Sequence, residues 1–373
     1  MRAARAEVDL GAIAHNVGEV RTLVAPSLVC AVVKADGYGH GAIAVSEAAL
    51  EAGADWLAVA LIEEAAVLRK AGITARILLL SQPRLADLAA AVRYDLRVCV
   101  ISPVAVELLA NAAHEQGRTV QVHMKVDTGM NRIGVAPTDA LALAREIVKR
   151  PELVLEGVFT HCAVADEPDN PFTAEQLDRY ETVLQQLGDA GIFPSIRHSA
   201  NSATAIAHAR GRYDLVRVGI AVYGIAPAPG LAGTPDLRPA LSLRAEVSMV
   251  KRVRAGDGVS YGLRHRFDTD ATVATVPIGY ADGVPRRLGL VGGEVLIGGK
   301  RRPIVGVVTM DQLMVDCGDD HIEVGDEVVL IGTQGRETIT AEEVAGRLDT
   351  IAYEIVCGIG PRVPRFYPRG VQS

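Results

Sequence analysis

A lysine at the end of an apolar run is the first group in this chain that could do chemistry. Residues 28–33 are apolar, Lys34 follows them, and glycines stand at Gly37, Gly39 and Gly41. The run predicts a short buried strand, because short apolar segments bounded by turn residues favour that structure. An amine held at the end of such a strand loses solvation, so it can act as a base or as a Schiff-base former. The glycines let backbone N–H groups approach an anion such as a phosphate.

Taken alone, the same segment also fits a lysine that reaches solvent past an ordinary glycine-rich turn. It does not match the P-loop pattern, since Lys34 precedes the glycines instead of following them. The chemistry of Lys34 therefore has to be judged from the elements that position it.

Short apolar runs alternate with helical patterns from residue 28 to about residue 222. Strands that alternate with helices indicate βαβ units and a parallel sheet. The number of candidate strands favours an α/β fold with a (β/α)8 barrel of the TIM type, and a doubly wound open sheet is the alternative. The candidate strands are residues 28–34, 56–60, 77–80, 96–100, 119–127, 153–160, 195–198 and 214–218, and the candidate helices include 42–52, 63–71, 103–116, 140–149 and 173–187.

A Pro/Gly-rich connector at residues 227–239 marks a change in the character of the chain. We predict a barrel domain over residues 1–234 and a β-rich domain over residues 235–373, with the first ten or so residues as candidates for packing on the second domain. Thr340 begins a capping-box pattern that predicts a helix over residues 341–348. The β-type patterns of the second domain are residues 241–253, 271–277, 294–297, 313–315 and 327–331.

Composition excludes several classes of function. The chain has 373 residues, of which 49% are hydrophobic, and its net charge is −7. The negative charge argues against a nucleic-acid or anionic-membrane surface. No apolar stretch of about 18 residues predicts a membrane span. No apolar run follows a basic N-terminal segment, as a secretory signal would require. The five cysteines form no CxxC pair, so no metal site and no disulfide framework is expected. We expect a cytoplasmic location.

Polar side chains stand where several of the predicted strands end. In a barrel the carboxyl ends of the strands meet at one mouth, where barrel enzymes build their sites. Any one of these side chains fits an ordinary polar strand end, but their number favours a shared site. They are Lys125, Arg132, His161, His198, Asn201, Ser202 and Arg217.

The segment over residues 31–41, together with residues 7–16, resembles the cofactor-lysine motif and the opening of the alanine racemases. Further segments match that family in the same order, so the resemblance runs from residue 7 to about residue 367. It implies pyridoxal 5′-phosphate as the cofactor, a homodimer, and active sites built from both chains. The further segments are residues 125–132, 160–161, 198–202, 217–220, 260–262, 277–283, 310–312, 353–354 and 362–365.

The resemblance implies a two-base racemisation, with Lys34 and Tyr261 on opposite faces of the substrate α-carbon. Lys34 would hold the cofactor and then act as one base, and Tyr261 of the partner subunit would be the other. A free tyrosine has a pKa of about 10, so Tyr261 needs cationic or hydrogen-bonding neighbours, which His161 and Arg217 could supply. Arg217 at the pyridine nitrogen cannot readily act as an acid, which would leave the ring less electron-withdrawing and restrain side reactions.

The other site residues take their roles from the same resemblance. Arg132 and the backbone N–H of Met310 would bind the substrate carboxylate. Lys125 occupies the position that carries a carbamate in many members of the family. Tyr280 would line the entrance, and Asp311 would either order the carboxylate region or serve as a turn residue. The phosphate ligands would be Tyr38, Ser202, Gly219, Ile220 and Tyr353.

The implied function is the interconversion of L- and D-alanine, which supplies D-alanine for peptidoglycan. Residues 80–83 lack the glycine-rich form expected in the family, which leaves open a racemase of serine or another small amino acid. A different class, the non-catalytic pyridoxal-phosphate carrier proteins, shares the lysine strand but lacks a second domain. Arg217 and the lack of a recognisable metal motif disfavour a decarboxylase or a metal-dependent aldolase.

Overall fold

The computed structural model describes residues 4–233 and 235–368, and the chain divides into two compact units. One unit comprises Gly11–Gly37 and Ala42–Pro239. The other comprises the residues up to Leu10, the short segment Tyr38–Gly41 and the residues from Ala240 onward. Packing therefore divides the chain slightly later than the boundary predicted from the sequence, and residue 234 itself lies outside the described residues.

The first unit is a closed barrel of parallel strands, so the fold class predicted from the sequence is confirmed. Neighbouring strands pair in parallel, with Cys30 opposite Arg217 on one side and Trp56 on the other. A parallel bridge from Leu78 to Arg97 joins the third strand to the fourth. The last gap is closed where Arg217 donates its backbone N–H to the carbonyl of Ala200 at 2.9 Å. The strands are Leu28–Val32, Trp56–Val59, Arg76–Leu79, Val98–Val100, Val120–Lys125, Leu153–Phe159, Ile196–His198 and Leu215–Val218.

Apolar strands and residues that favour the start of a helix explain why this part of the chain forms a barrel. The strand Trp56–Val59 is buried at every position, as expected for a parallel strand covered on both faces. The helix Pro103–Glu115 begins with a proline, whose fixed φ suits the first helical turn. The helices of the unit are Leu10–Val24, Ala42–Glu51, Ile62–Lys70, Leu88–Arg93, Pro103–Glu115, Ala140–Val148, Phe172–Asp189 and Ser202–Ala207.

A β-bulge interrupts the pairing of the fifth and sixth barrel strands. Val122 pairs with Leu155, but the next residue, His123, pairs with Gly157. Glu156 is therefore an extra residue on the strand Leu153–Phe159. A bulge of this kind redirects side chains, and this one bears on the candidate site.

The second unit is rich in β-structure, as predicted. In its largest sheet the N-terminal strand Arg5–Val8 lies between Leu241–Glu246, with which it is antiparallel, and Arg365–Phe366, with which it is parallel. The other strands of this sheet are Glu294–Ile297, Lys300–Pro303, Glu327–Gln334 and Glu337–Ile339. A second sheet contains Met249–Val253, Ala271–Val276 and Leu313–Asp316, and a small ribbon contains Gly258–Val259 and His265–Arg266.

The structure divides one predicted strand in two. Residues 241–253, predicted as a single strand, form Leu241–Glu246 and Met249–Val253. The chain changes sheets between them, because Val247 donates to the carbonyl of Asp326 and Ser248 donates to that of Thr275. An alternating apolar pattern continues through this change of partner, so the sequence does not reveal the break.

Helices of the second unit are Ala341–Leu348 and Ala352–Cys357. The first matches its prediction, and the Thr340 side chain accepts from the backbone N–H of Glu343 at 3.1 Å, as an N-cap should. In the part of the chain that the structure describes, every helix is too short or too polar to span a bilayer.

Candidate active site

Lys34 lies just beyond the first barrel strand, at the start of a turn with unusual backbone geometry. Ala35, Asp36 and Gly37 all have left-handed conformations, with φ of 52°, 51° and 61°. Left-handed non-glycine residues are costly and persist only where the surroundings determine them. Here the Asp36 carboxylate accepts from the backbone N–H of Ala42 at 2.8 Å. The sequence predicted a break at the glycines, whereas the turn begins at residues that have side chains.

The Arg217 side chain is held by several hydrogen bonds inside the barrel. Its side chain is 3% exposed, and Nη1 donates to His198 Nδ1 at 2.8 Å. Nη2 donates to the carbonyls of Thr160 at 2.9 Å and Ser199 at 3.0 Å. Burial lowers the pKa of Arg217 to about 10, which leaves the guanidinium charged at neutral pH.

His161 lies in a strongly cationic environment. Its Nδ1 is 3.3 Å from Arg217 Nη2, so this nitrogen must accept, because a guanidinium can only donate. Burial lowers the pKa of His161 well below its ordinary value, and Arg217, Arg132, Lys125 and Lys34 each lower it further. His161 is thus a neutral imidazole, and four cations surround it within electrostatic reach.

Lys125 is a buried amine, 5% exposed, at the end of the fifth barrel strand. Its Nζ lies 3.4 Å from the carbonyl of Leu80 and 5.3 Å from the centre of the Phe159 ring. Burial lowers the pKa of Lys125 to about 8, and the charges of Arg217 and Arg132 lower it further. A substantial fraction of this amine is therefore neutral and nucleophilic a little above neutral pH.

A carboxylate holds the loop that carries Arg132. Asp127 Oδ1 accepts from the backbone N–H groups of Gly129 and Asn131, both at 3.0 Å. Its Oδ2 accepts from the backbone N–H of Arg132 at 3.1 Å. The Arg132 residue is exposed, so the loop presents a guanidinium to solvent while its backbone is fixed.

Ser202 and the backbone after the last barrel strand form a buried polar corner. Ser202 Oγ accepts from the N–H groups of Gly219 at 3.0 Å and Ala221 at 3.4 Å. Asn201 precedes Ser202 and caps the helix Ser202–Ala207 by accepting from Thr204 N at 2.9 Å. Ile220 follows Gly219 and is buried. The structure therefore brings together the predicted phosphate ligands Ser202, Gly219 and Ile220.

In the second unit, Tyr38 and Tyr353 form another predicted pair. Their ring centres are 6.2 Å apart. Burial raises the pKa of Tyr38, and the neighbouring Tyr353 and Cys357 raise it further. Tyr38 is therefore a neutral hydroxyl at physiological pH, which can donate to an anion.

Tyr261 stands on a strained turn of the second unit and is 73% exposed in the single chain. The preceding Ser260 has φ 62° and ψ −179°, a combination that is almost confined to glycine. The Ser260 hydroxyl donates to the carbonyl of Val307 at 2.7 Å and so holds this conformation. Leu263 also has positive φ, 46°. The strained turn therefore leaves the Tyr261 side chain exposed at the surface of its own unit.

Two further predicted residues lie on adjoining loops of the same unit. Tyr280 donates its backbone N–H to the carbonyl of Thr309 at 3.0 Å, and Ala281 donates to that of Met310 at 3.0 Å. Gly279 permits this approach, since a Cβ there would lie 2.3 Å from the Thr309 carbonyl oxygen. Met310 and Tyr280 are thus held together, and both are exposed in the single chain.

Asp311, the last predicted residue, is engaged in an ion pair. Its Oδ1 lies 2.6 Å from Arg362 Nη2, and Arg362 Nε lies 3.3 Å from the buried Asp282. Its carboxylate therefore anchors Arg362 within the second unit.

Sequence reasoning missed two polar residues behind Arg217, the buried His123 and the partly buried Glu156. His123 Nδ1 lies 2.9 Å from His198 Nε2, and His123 Nε2 lies 3.1 Å from Glu156 Oε2. Both residues sit inside strands that are otherwise mostly apolar, and that contrast was the signal available in the sequence.

Comparison with known proteins decides the family. The pattern described as "Alanine racemase, N-terminal domain" matches residues 8–227, and that described as "Alanine racemase, C-terminal domain" matches residues 240–367. The chain belongs to the alanine racemase family. An alanine racemase of Symbiobacterium thermophilum is 50% identical over 368 residues, which cover 98% of this chain and 97% of that protein.

Solved structures of alanine racemases share the whole fold. The enzyme from D-cycloserine-producing Streptomyces lavendulae has a TM-score of 0.95 and 42% identity, covering 100% of this chain and 98% of that one. A histidine racemase from Leuconostoc mesenteroides subsp. sake also matches, with a TM-score of 0.91 and 29% identity, covering 99% of each chain. The predicted family and the predicted enzyme class, an isomerase of the alanine racemase type, are confirmed.

Proposed function

We propose that this chain is a pyridoxal-phosphate-dependent racemase that interconverts L- and D-alanine with Lys34 and Tyr261 as its two bases. The observation that carries the proposal is the fixed guanidinium of Arg217, buried at the mouth that also contains Lys34 and His161. A donor that stays charged suits a ring nitrogen that is to remain an acceptor, and this distinguishes racemisation from reactions that need a stronger electron sink.

The charges and donors of the barrel fit an anionic cofactor and an anionic substrate. Cations at Lys34, Lys125, Arg132 and Arg217 all act on His161, so a phosphate and a carboxylate would be attracted to this mouth. The Ser202 hydroxyl, which accepts from the Gly219 amide in the single chain, and the amides of Gly219 and Ile220 would turn toward a phosphate dianion as short donors. The hydroxyls of Tyr38 and Tyr353 would complete the set. When bound, pyridoxal 5′-phosphate withdraws electrons from an amino acid joined to it and so acidifies the α C–H bond.

The protein must then remove a proton from one face of the α-carbon and return one to the other. Lys34, the group that anchors the cofactor, would exchange the proton on one face, and Tyr261 of the partner subunit would do so on the other. Because Nδ1 of the neutral His161 accepts from Arg217, the imidazole carries its proton on Nε2. The expected role of His161 toward Tyr261 is therefore to donate through Nε2–H and stabilise a phenolate. Arg132 and the backbone N–H of Met310 would bind the substrate carboxylate.

Exposure of the second-unit loops supports a homodimer with shared sites. Tyr261, Leu263 and Met310 are 73%, 52% and 53% exposed in the single chain. Large apolar side chains clustered on a surface mark an interaction site, and a strained turn that presents a tyrosine outward suits a residue that acts in another subunit. Tyr280 on a neighbouring loop would keep the entrance narrow, and the Asp311–Arg362 pair would stiffen it.

Lys125 would support Arg132, as it does in members of the family where this lysine carries a carbamate. Its low pKa supplies the neutral amine that such a modification requires. The supply of D-alanine for peptidoglycan and a cytoplasmic location belong to the same proposal, and both rest on the family.

The decisive experiment is α-proton exchange in D2O. The purified protein, loaded with pyridoxal 5′-phosphate, is incubated separately with L-alanine, L-serine, L-lysine and L-histidine, and α-deuterium and optical rotation are followed by NMR and polarimetry. Exchange and racemisation that are fastest with alanine are expected. Faster turnover of another amino acid would move the assignment to that substrate. Cofactor binding without exchange on any of them would favour a carrier protein.

A further inference from the structure

A continuous line of hydrogen-bonding groups leads from Arg217 through the barrel interior to Glu156. His198 Nδ1 lies 2.8 Å from Arg217 Nη1, and His198 Nε2 lies 2.9 Å from His123 Nδ1. His123 Nε2 lies 3.1 Å from Glu156 Oε2. Both histidines are fully buried, whereas the Glu156 side chain is 16% exposed. The line thus joins a residue of the candidate site to a carboxylate outside it.

The chemistry of the two ends permits only one arrangement of protons along this line. A guanidinium can only donate, so His198 Nδ1 must be an acceptor and carry no proton. The proton of neutral His198 is then on Nε2 and is donated to His123 Nδ1. His123 in turn carries its proton on Nε2 and donates it to the Glu156 carboxylate, which can only accept. A charged imidazole at either position would set two donors against each other.

Electrostatics agree with this arrangement. Burial lowers the pKa of His123, although the hydrogen bond to Glu156 opposes the shift. Burial also lowers the pKa of His198 well below its ordinary value, and Arg217 lowers it further. Burial raises the pKa of Glu156. The hydrogen bond from His123 and the charge of Arg97 more than offset burial, so the pKa of Glu156 lies below its ordinary value. Two neutral imidazoles therefore lie between a cation and an anion.

The fold makes room for this line in two ways. The β-bulge adds Glu156 to its strand, so that His123 pairs with Gly157 and not with Glu156. A Cβ at Gly157 would lie 2.2 Å from His123 Nδ1, which only a glycine avoids. The imidazole of His123 occupies the space that a side chain at Gly157 would fill. It lies beside the carboxylate of Glu156, which the bulge redirects.

We propose that Glu156 and His123 are positioning residues for Arg217, which fix the proton of His198 on Nε2 and so keep an acceptor facing the guanidinium. If the Glu156 acceptor is removed, the Nε2–H of His123 loses its acceptor, and moving that proton to Nδ1 would set it against the Nε2–H of His198. His198 must then present Nδ1–H to Arg217, and the guanidinium loses one of its acceptors. The inference deepens the proposed function, because it rests on Arg217 facing the cofactor ring.

Substitutions at Glu156 separate the acceptor from the rest of the side chain. Glu156→Met removes the acceptor at similar size, whereas Glu156→Gln keeps a carbonyl oxygen that can accept from His123. We expect Glu156→Met to lower kcat with L-alanine by about tenfold with KM changed less than about twofold, and to shift the absorbance spectrum of the bound cofactor. Glu156→Gln should restore kcat to within about threefold of the wild type. Equal losses in the two variants, or wild-type kcat and spectrum in Glu156→Met, would overturn the proposal.

Two controls test the ion pair of Glu156 with Arg97 and the loss of a carboxylate from the same strand region. Arg97 Nε lies 3.4 Å from Glu156 Oε2, and Arg97→Gln removes this ion pair while the bond to His123 remains. Glu152→Met removes a carboxylate from a surface pair with His114, 3.5 Å away. Both variants should retain wild-type kcat and spectrum. A loss in Arg97→Gln as large as that in Glu156→Met would overturn the proposal in favour of the ion pair.

The unmodified protein provides a test that does not depend on activity. With ¹⁵N-labelled histidine, long-range ¹H–¹⁵N spectra at neutral pH report which ring nitrogen carries the proton, and His123→Gln and His198→Gln assign the two signals. Both imidazoles are expected as neutral Nε2–H tautomers. A protonated Nδ1 on either one would overturn the proposal. If no amino acid is racemised, the proposed function fails, yet this measurement still decides the arrangement of protons.

Discussion

Arg217 Nη1 donates to His198 Nδ1 at 2.8 Å, while Nη2 of the same guanidinium donates to two backbone carbonyls. A planar fork with bonds on two sides cannot rotate without losing several of them. The position of the Arg217 guanidinium is therefore set by the ends of neighbouring strands, which supply the carbonyl acceptors of Thr160 and Ser199.

Arg217→Lys should show how far this fork matters. A lysine keeps the charge but has one ammonium group, which cannot satisfy three acceptors in a plane. We expect kcat with L-alanine to fall by about a hundredfold or more, together with weaker retention of pyridoxal 5′-phosphate on dialysis. Arg210→Lys, at a surface pair with Glu181, is the control and should change neither. Wild-type activity in Arg217→Lys would show that the charge suffices without the fork.

Lys34→Ala tests the assignment of the cofactor lysine. Without the amine, the covalently held cofactor and one of the two bases are both lost, so the visible absorbance of the bound cofactor should disappear and kcat should fall by at least about 10³-fold. Absorbance spectra and D2O exchange measure the two effects. Lys149→Ala, which removes an exposed lysine paired with Glu146, should leave both unchanged. An unaltered spectrum in Lys34→Ala would place the cofactor elsewhere.

Tyr261 and Lys34 should complement each other between subunits if the sites are shared. Lys34→Ala and Tyr261→Phe chains, each inactive alone, are co-expressed at equal levels with different tags. Random pairing gives heterodimers in half of the molecules, each with one intact site of two, so about one quarter of wild-type activity should return.

The control for complementation pairs Lys34→Ala with the double variant Lys34→Ala/Tyr261→Phe, which has no intact site in any combination. Activity is also measured on heterodimers purified through both tags, in which one site of two is intact and about one half of wild-type activity is expected. Activity no greater than in this control would mean that each chain uses its own tyrosine.

Asp127 should control substrate affinity through the loop that carries Arg132. Its carboxylate accepts from three backbone N–H groups between 3.0 and 3.1 Å away. Asp127→Ala frees these groups and loosens the loop, so KM for L-alanine should rise by about tenfold with a smaller change in kcat. Asp139→Ala, at an exposed aspartate, is the matched control. A fall in kcat at constant KM would contradict a binding role for the loop.

Buried neutral histidines should make the fold sensitive to acid. The pKa values of His123, His161 and His198 are all lowered in the folded state, chiefly by burial. Below about pH 6.5 the unfolded chain binds protons that the folded chain does not, so stability is present above that pH and is lost as the pH falls. Each such histidine contributes up to about 1.4 kcal/mol of unfolding free energy per pH unit.

Urea unfolding at pH 7.5, 6.5 and 5.5, at one protein concentration, measures this slope. His198→Asn should reduce the slope by about the share of one proton. His321→Asn, which removes an exposed histidine beside Glu323, should leave it unchanged. Unfolding free energies that stay constant down to pH 5.5 would show that these imidazoles can be charged within the fold.

The sequence alone was sufficient for much of the fold. Apolar runs separated by helical patterns predicted all eight barrel strands and the order of the two domains, because burial on both faces of a parallel strand leaves a local signature. The prediction of residues 241–253 as a single strand was wrong. A change of hydrogen-bonding partner leaves the apolar alternation intact, so the sequence carries no local sign of the break.

Chemistry carried by a single residue in a distinctive segment was also available from the sequence. Lys34 precedes three glycines and Arg217 lies near the end of a buried strand, so both could be chosen without coordinates. Tyr261 could be named, but its 73% exposure on a strained turn depends on how Ser260 is held by the carbonyl of Val307.

The line from Arg217 to Glu156 was decided by tertiary structure alone. Its members come from four barrel strands. Whether their side chains meet depends on strand register, because a shift of one residue would turn the side chains of a strand to the opposite face. The bulge at Glu156 and the missing side chain of Gly157 set that register locally. No short-range pattern encodes such a meeting, because each hydrogen bond joins groups that are distant in the chain.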